Sequence, residues 1–297
     1  MTDHTWAPLP SPLPEVLPGL DLPEPGRQRR WTVLLRWLLL IPQYIALLFL
    51  GIAAFVVMVV GWFAALITGR LPEPIASFLT GYLVYSTRVA AYAMLLVDTY
   101  PPFAFLAPGY PVQVEVHPGK LNRLAVLFRI ILLIPAAFVV ELLFYGWFVI
   151  CLIFWLLVLI RGRMPRPLFE ATAATARYTM RLYAYQMMLT AAYPKRLFGD
   201  EPTPTEQPRS ATRPLLLSGA GKALVVVFLV LGAAVLIFNN FPNTTSTTSQ
   251  PSENGVSVVT TRNGTQPHPE GTTRAQQLRA GSTATNASKR QLAWSAT

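Results

Sequence analysis

Arg88 and Arg181 stand where a charge is costly, within segments otherwise apolar enough for a bilayer. Each is flanked by tyrosines at i−3 and i+4, Tyr85 and Tyr92 around the first, Tyr178 and Tyr185 around the second. On a helix this spacing places each guanidinium between two rings on one face. Arg177 lies one turn before Arg181, and Glu141 is the only acid between Ile130 and Ile160. An unpaired arginine near mid-bilayer costs roughly 3 kcal/mol or more, so a partner or water is required. Counted along the helices, Glu141 lies about 9 Å and the two arginines about 15 Å from one membrane face. Long side chains bridge that difference, so Glu141 is expected to pair with Arg181 or Arg88 and lock two hairpins together. These eight residues are the candidate polar network, either a static ion pair or snorkelling arginines, or a polar path for a solute, proton or lipid headgroup.

No other constellation carries chemistry. Gly219-Ala220-Gly221-Lys222-Ala223 resembles the end of a phosphate loop, but Leu216 and Ala223 replace its first glycine and its hydroxyl residue. His4, His117 and His268 lie in separate segments without metal-ligand spacing. Neither Gly-x-Ser-x-Gly nor His-Glu-x-x-His occurs. The single cysteine, Cys151, sits in an apolar run and can form no intramolecular disulfide. No enzyme, cofactor or metal is expected.

The elements that hold the arginines come from a duplication. Adding 93 takes Arg30 to Arg123, Arg36 to Arg129, Pro42 to Pro135, Trp62 to Trp155, Gly69-Arg70 to Gly162-Arg163 and Arg88 to Arg181, without an insertion. Residues 1–26 are Pro-rich and read as a disordered cytosolic tail. Residues 27–103 and 121–198 are the two membrane repeats, with a linker, 104–120, between them. In each repeat an amphipathic stretch, 27–41 or 121–134, ends at Ile-Pro and reads as an interfacial helix turning into the membrane, with one long kinked helix as the rival reading. The spans that follow end in tight Gly-Arg-x-Pro turns, and small-residue helices return across the bilayer. The linker alternates Val112, Val114 and Val116 with Gln113, Glu115 and His117, a short strand on the membrane surface. Residues 199–213 form a second linker, 214–238 a fifth span, and 239–297 a disordered polar tail whose three glycosylation sequons are coincidences of composition. The fold class is therefore an all-α polytopic membrane protein, two tandem parallel hairpin repeats plus a C-terminal transmembrane helix.

Hydrophobic residues make up 53% of the chain and charged residues 13%, which excludes an ordinary soluble domain. The net charge of +10 comes from basic residues flanking apolar runs, a headgroup and topology signal, so the partners are the bilayer and anionic lipid rather than nucleic acid. With the N-terminus inside, twelve basic residues face the cytoplasm against four outside, which places the C-terminal tail outside and sets the repeat axis along the membrane normal.

Ile41-Pro42, the Trp62 span, Leu66-Ile67-Thr68-Gly69-Arg70, Arg88 through Tyr92, Tyr100-Pro101-Pro102-Phe103 and the Tyr110–Val116 linker resemble a family known as domain of unknown function 4389. The resemblance implies a bacterial, mainly actinobacterial, integral membrane protein and supplies no catalytic residues. The second copy departs from the pattern, with Ala191-Ala192 for Asp98-Thr99 and Lys195-Arg196 for Pro102-Phe103. The function expected is a non-enzymatic scaffold or accessory subunit with a membrane protein partner. The alternative is a small transporter or channel.

Overall fold

A computed structural model describes residues 17–200 and 210–240. The N-terminal tail up to residue 16, His4, the linker 201–209, His268, the three sequons and the C-terminal tail from residue 241 lie outside the described residues. In chain order the elements are β1 (Gly19–Asp21), α1 (Arg30–Leu34), α2 (Arg36–Thr68), α3 (Glu73–Ala93), β2 (Gln113–Glu115), α4 (Arg123–Leu127), α5 (Arg129–Arg161), α6 (Arg166–Gln186) and α7 (Gly219–Asn240).

The Ile-Pro pairs do not end helices. Pro42 and Pro135 lie inside α2 and α5, which run 33 residues each. The breaks come earlier, at Leu35 and Phe128, whose ψ angles are 5° and 7°. Proline removes one backbone donor, whereas stopping a helix among apolar side chains would strand several polar groups. The long-helix reading thus replaces the separate interfacial helices at 27–41 and 121–134. Both long helices stop at a left-handed glycine, Gly69 at φ 73° and Gly162 at φ 68°, the backbone conformation a Cβ would oppose.

The two repeats exchange contacts. Trp62 Nε1 donates to the Val126 carbonyl at 3.0 Å, and Trp155 Nε1 to the Val33 carbonyl at 2.7 Å. Leu121 N donates to the Gly69 carbonyl at 2.9 Å, and Gln28 N to the Gly162 carbonyl at 2.8 Å. Each pair maps onto the other by the offset of 93. The C-terminal end of each long helix therefore meets the start of the other, so α2 and α5 run antiparallel. The axis relating the repeats is perpendicular to these helices, whereas two upright hairpins of like orientation would place it along them.

Residues 17–26, expected to be tail, belong to the fold. β1 pairs antiparallel with β2, Leu20 opposite Val114 and Asp21 opposite Gln113. The register is symmetric, because Leu20 plus 93 is Gln113 and Asp21 plus 93 is Val114. The strand expected in the linker thus finds its partner in the equivalent segment before the first repeat, and the ribbon sits on the twofold axis.

Among the described residues three helices, α2, α5 and α7, are long and apolar enough to cross a membrane. The expected return spans α3 and α6 are not among them, because polar and small residues lower their hydropathy. α6 lies at the centre, flanked by α3, α5 and α7. α7 breaks the symmetry by packing on α5 where glycines let the backbones meet. A Cβ at Gly146 would lie 1.8 Å from the Phe228 carbonyl oxygen, and one at Gly232 2.0 Å from that of Leu142. We expect Gly146→Ala to lower the unfolding midpoint by the equivalent of about 3 kcal/mol through overpacking. Gly109→Ala, where a Cβ meets nothing within 4 Å, should change it little. Thermal unfolding in detergent, followed by Trp fluorescence, is the measurement.

Candidate functional site

The buried arginines set the geometry. Arg88 is 2% exposed. Its Nε donates to the Val112 carbonyl at 3.4 Å and its Nη1 to the carbonyls of Ala104 and Phe105 at 3.3 and 3.1 Å. Arg181 donates from Nε to the Pro18 carbonyl at 3.1 Å and from Nη1 to that of Lys195 at 3.0 Å. Val112 precedes the second repeat and Pro18 the first, so each arginine holds the strand segment of the opposite repeat. Arg177 donates to Asp200 at 2.6 Å and to the Arg196 carbonyl at 3.0 Å.

Glu141 meets neither arginine, which corrects the expected pairing. It lies exposed on α5, on the side that also exposes Phe138 and Phe148. The arginines reach inward to non-helical carbonyls instead. Such carbonyls lack helical partners and can accept a charged donor.

The tyrosines also serve other arginines. Tyr92 lies under Arg36, 4.3 Å from ring centroid to guanidinium carbon, and Tyr185 lies under Arg129 at 4.1 Å. Tyr85 donates to the Gln43 side chain, which donates to the Pro101 carbonyl at 2.7 Å. Tyr178 is buried. Sequence reasoning missed Arg36 and Arg129, taking them for headgroup contacts because they stand at the edges of apolar runs. The offset that pairs Arg36 with Arg129 also pairs Tyr92 with Tyr185, and that coincidence was the available signal.

Arg36, 2% exposed, donates to the Tyr92 carbonyl at 2.6 Å, to Gln28 Oε1 at 3.2 Å and to Asp98 Oδ1 at 3.4 Å. Asp98 also accepts from Arg29 N at 3.1 Å and Thr32 Oγ1 at 2.6 Å. On the axis, Arg213 binds Asp21 at 3.2 Å and also binds Glu115, tying the two strands together. Burial lowers the Arg213 pKa, and the two carboxylates outweigh that effect and leave it above its ordinary value.

An apolar cleft of about 280 Å³ lies between α2, α3 and the chain at Phe103–Phe105, reaching Tyr85. Among the described residues no group of three His, Cys, Asp or Glu side chains could hold a metal ion. The arrangement clamps chain segments through guanidinium–carbonyl bonds. We expect Arg88→Met and Arg181→Met each to cost about 3 kcal/mol by orphaning buried carbonyls. Glu141→Gln should leave the unfolding midpoint unchanged, and chemical denaturation of the three variants is the check.

The model of the Domain of unknown function (DUF4389) matches residues 30–104 and 123–197, segments related by the same offset of 93. No curated protein and no solved structure matches the chain. With its two matches covering half of the chain, the protein belongs to the DUF4389 family and carries the domain twice in tandem.

Proposed function

We propose that this protein is a non-enzymatic membrane scaffold or accessory subunit whose long helices lie along one leaflet. The observation that carries this reading is the polar ribbon on the twofold axis, midway along α2 and α5. His117 and Glu115 are 59% and 39% exposed there. If α2 and α5 stood upright, those groups would face the hydrocarbon at mid-bilayer, at a cost of several kcal/mol each. Laid flat, the same body offers lipid the exposed stripe of α2 from Trp37 to Ile67 and that of α5 from Ile130 to Ile160. The polar ribbon then faces water. Helix length supports the same placement, because 33 residues make about 50 Å of helix against a hydrocarbon core of about 30 Å. Glu141 agrees as well. It sits about 18 Å along α5, which is mid-bilayer in an upright helix and snorkelling depth in a flat one.

In this placement both repeats face the same way and the axis runs along the membrane normal. The excess of basic residues suits the anionic headgroups of the cytoplasmic leaflet, with the N-terminus on that side. A scaffold role fits Arg88 and Arg181, whose donors are taken up by backbone carbonyls and are not offered to a moving solute.

The length of α7 favours a second reading. Its 22 residues match one perpendicular crossing. An upright body would need its polar ribbon sealed against another subunit or lining a polar path, as in a small transporter or channel, with the C-terminal tail outside.

Single cysteines at Arg70→Cys, Arg163→Cys and His117→Cys, in a Cys151→Ser background, separate the two readings. The flat body predicts labelling of all three by an impermeant maleimide from the same face of sealed vesicles. Labelling of the two glycine–arginine corners from opposite faces would establish the upright placement and end the first reading.

A further inference from the structure

The two repeats keep the same arginine–tyrosine pair but treat its charge differently. In repeat 1, Arg36 gives Nη1 to a carbonyl and Nη2 to Gln28 and Asp98, leaving Nε alone without a partner among the described residues, and Asp98 is itself held by Arg29 N and Thr32. The offset of 93 places Leu121 at the position of Gln28, Ala191 at that of Asp98 and Ala125 at that of Thr32. Arg129 therefore keeps its ring, Tyr185, and one carbonyl, that of Thr190 at 2.7 Å. No carboxylate or amide side chain from the equivalent positions reaches it. Arg129 is 3% exposed, and its Nε and Nη1 have no hydrogen-bond partner among the described residues. A buried guanidinium with two unused donors is costly, and the cost is relieved by an acceptor.

Repeat 1 shows what that acceptor is. The carboxylate of Asp98 takes a guanidinium donor, a backbone N–H and a hydroxyl at once. In repeat 2 Arg129 and Asn122 stand at the sequence positions of Arg36 and Arg29. Ala191 carries no acid and is exposed, so the position of the missing carboxylate opens to the surface. We propose that repeat 2 holds an oxyanion-binding site, in which Arg129 takes a phosphate group where repeat 1 supplies its own Asp98. Nε and Nη1 lie on different edges of the guanidinium, and either supplies a single charge-assisted hydrogen bond to a phosphate oxygen. The phosphate comes either from a phospholipid headgroup or from free solution. The inference rests on the internal comparison of the repeats and not on how the helices lie in the membrane.

Ala191→Asp tests it, because the substitution installs in repeat 2 the carboxylate that repeat 1 already has. The full chain, purified in detergent, is titrated with inorganic phosphate against chloride at equal ionic strength while thermal unfolding is followed. In a parallel arm it is taken from phosphatidylglycerol-containing nanodiscs into native mass spectrometry, and retained lipid is counted. The wild type should show a phosphate-dependent rise in midpoint, a retained phospholipid, or both. The first alone assigns free phosphate and the second alone the headgroup. Ala191→Asp should melt above the wild type in chloride and lose whichever response the wild type shows, by at least tenfold in half-saturating concentration or in lipid occupancy. The proposal is overturned if the wild type shows neither response. It is also overturned if Ala191→Asp keeps the response, melts below the wild type, or fails to accumulate.

Discussion

Burying an arginine obliges the chain to bring oxygen to it, and that obligation organises this molecule. Arg36, Arg88, Arg129, Arg177 and Arg181 are each no more than 5% exposed. A guanidinium cannot shed its charge, so each must be met by acceptors or left at a cost. Helical carbonyls are already engaged in the helix. Apart from the Tyr92 carbonyl at the C-terminal end of α3, the acceptors here come from segments without regular structure, around residues 18, 98, 104–105, 112, 190 and 195–200. The irregular chain after α3 and after α6 is thereby folded back onto the helices rather than left as loose connection. The order of the linker follows from the charge of the helix.

The exchange between repeats follows from the same constraint. Arg88 and Arg181 reach the strand segments that precede the opposite repeat, and Trp62 and Trp155 reach the opposite short helices. Neither repeat satisfies all of its own polar groups, so each copy depends on the other for part of its hydrogen bonding. α7 covers only the second copy, and with it α6 carries sixteen buried residues where α3 carries nine. The copies have since diverged in chemistry. Asp98 gave one arginine an internal counter-ion, while Ala191 left the other, equally buried, without one.

Several features were legible in the residues. The offset of 93, the glycine stops at Gly69 and Gly162, the two small-residue helices, the strand at Gln113–Glu115 and the apolar character of the long helices could all be seen there. These depend on local rules: repeat spacing, left-handed glycine, period-two alternation and hydropathy. The prolines misled, because Pro42 and Pro135 can be carried inside a helix whose apolar surroundings penalise any other backbone. The partner of β2 was hidden because β1 is three residues long in a Pro-rich stretch without alternation. The site was harder still. Glu141 was chosen because it was the one acid in reach along a straight helix. The acceptors actually used are backbone carbonyls, which every residue possesses and no residue type announces.

The sequence by itself determined that the chain is a duplicated, membrane-associated helical protein with arginines it must bury, because spacing and composition are properties of the linear chain. The tertiary structure alone decided that the copies run antiparallel and clasp each other, that tyrosines serve arginines on neighbouring helices, and that one guanidinium keeps unused donors. Those outcomes depend on which backbone oxygens arrive beside which charge, and that is a matter of distance in space.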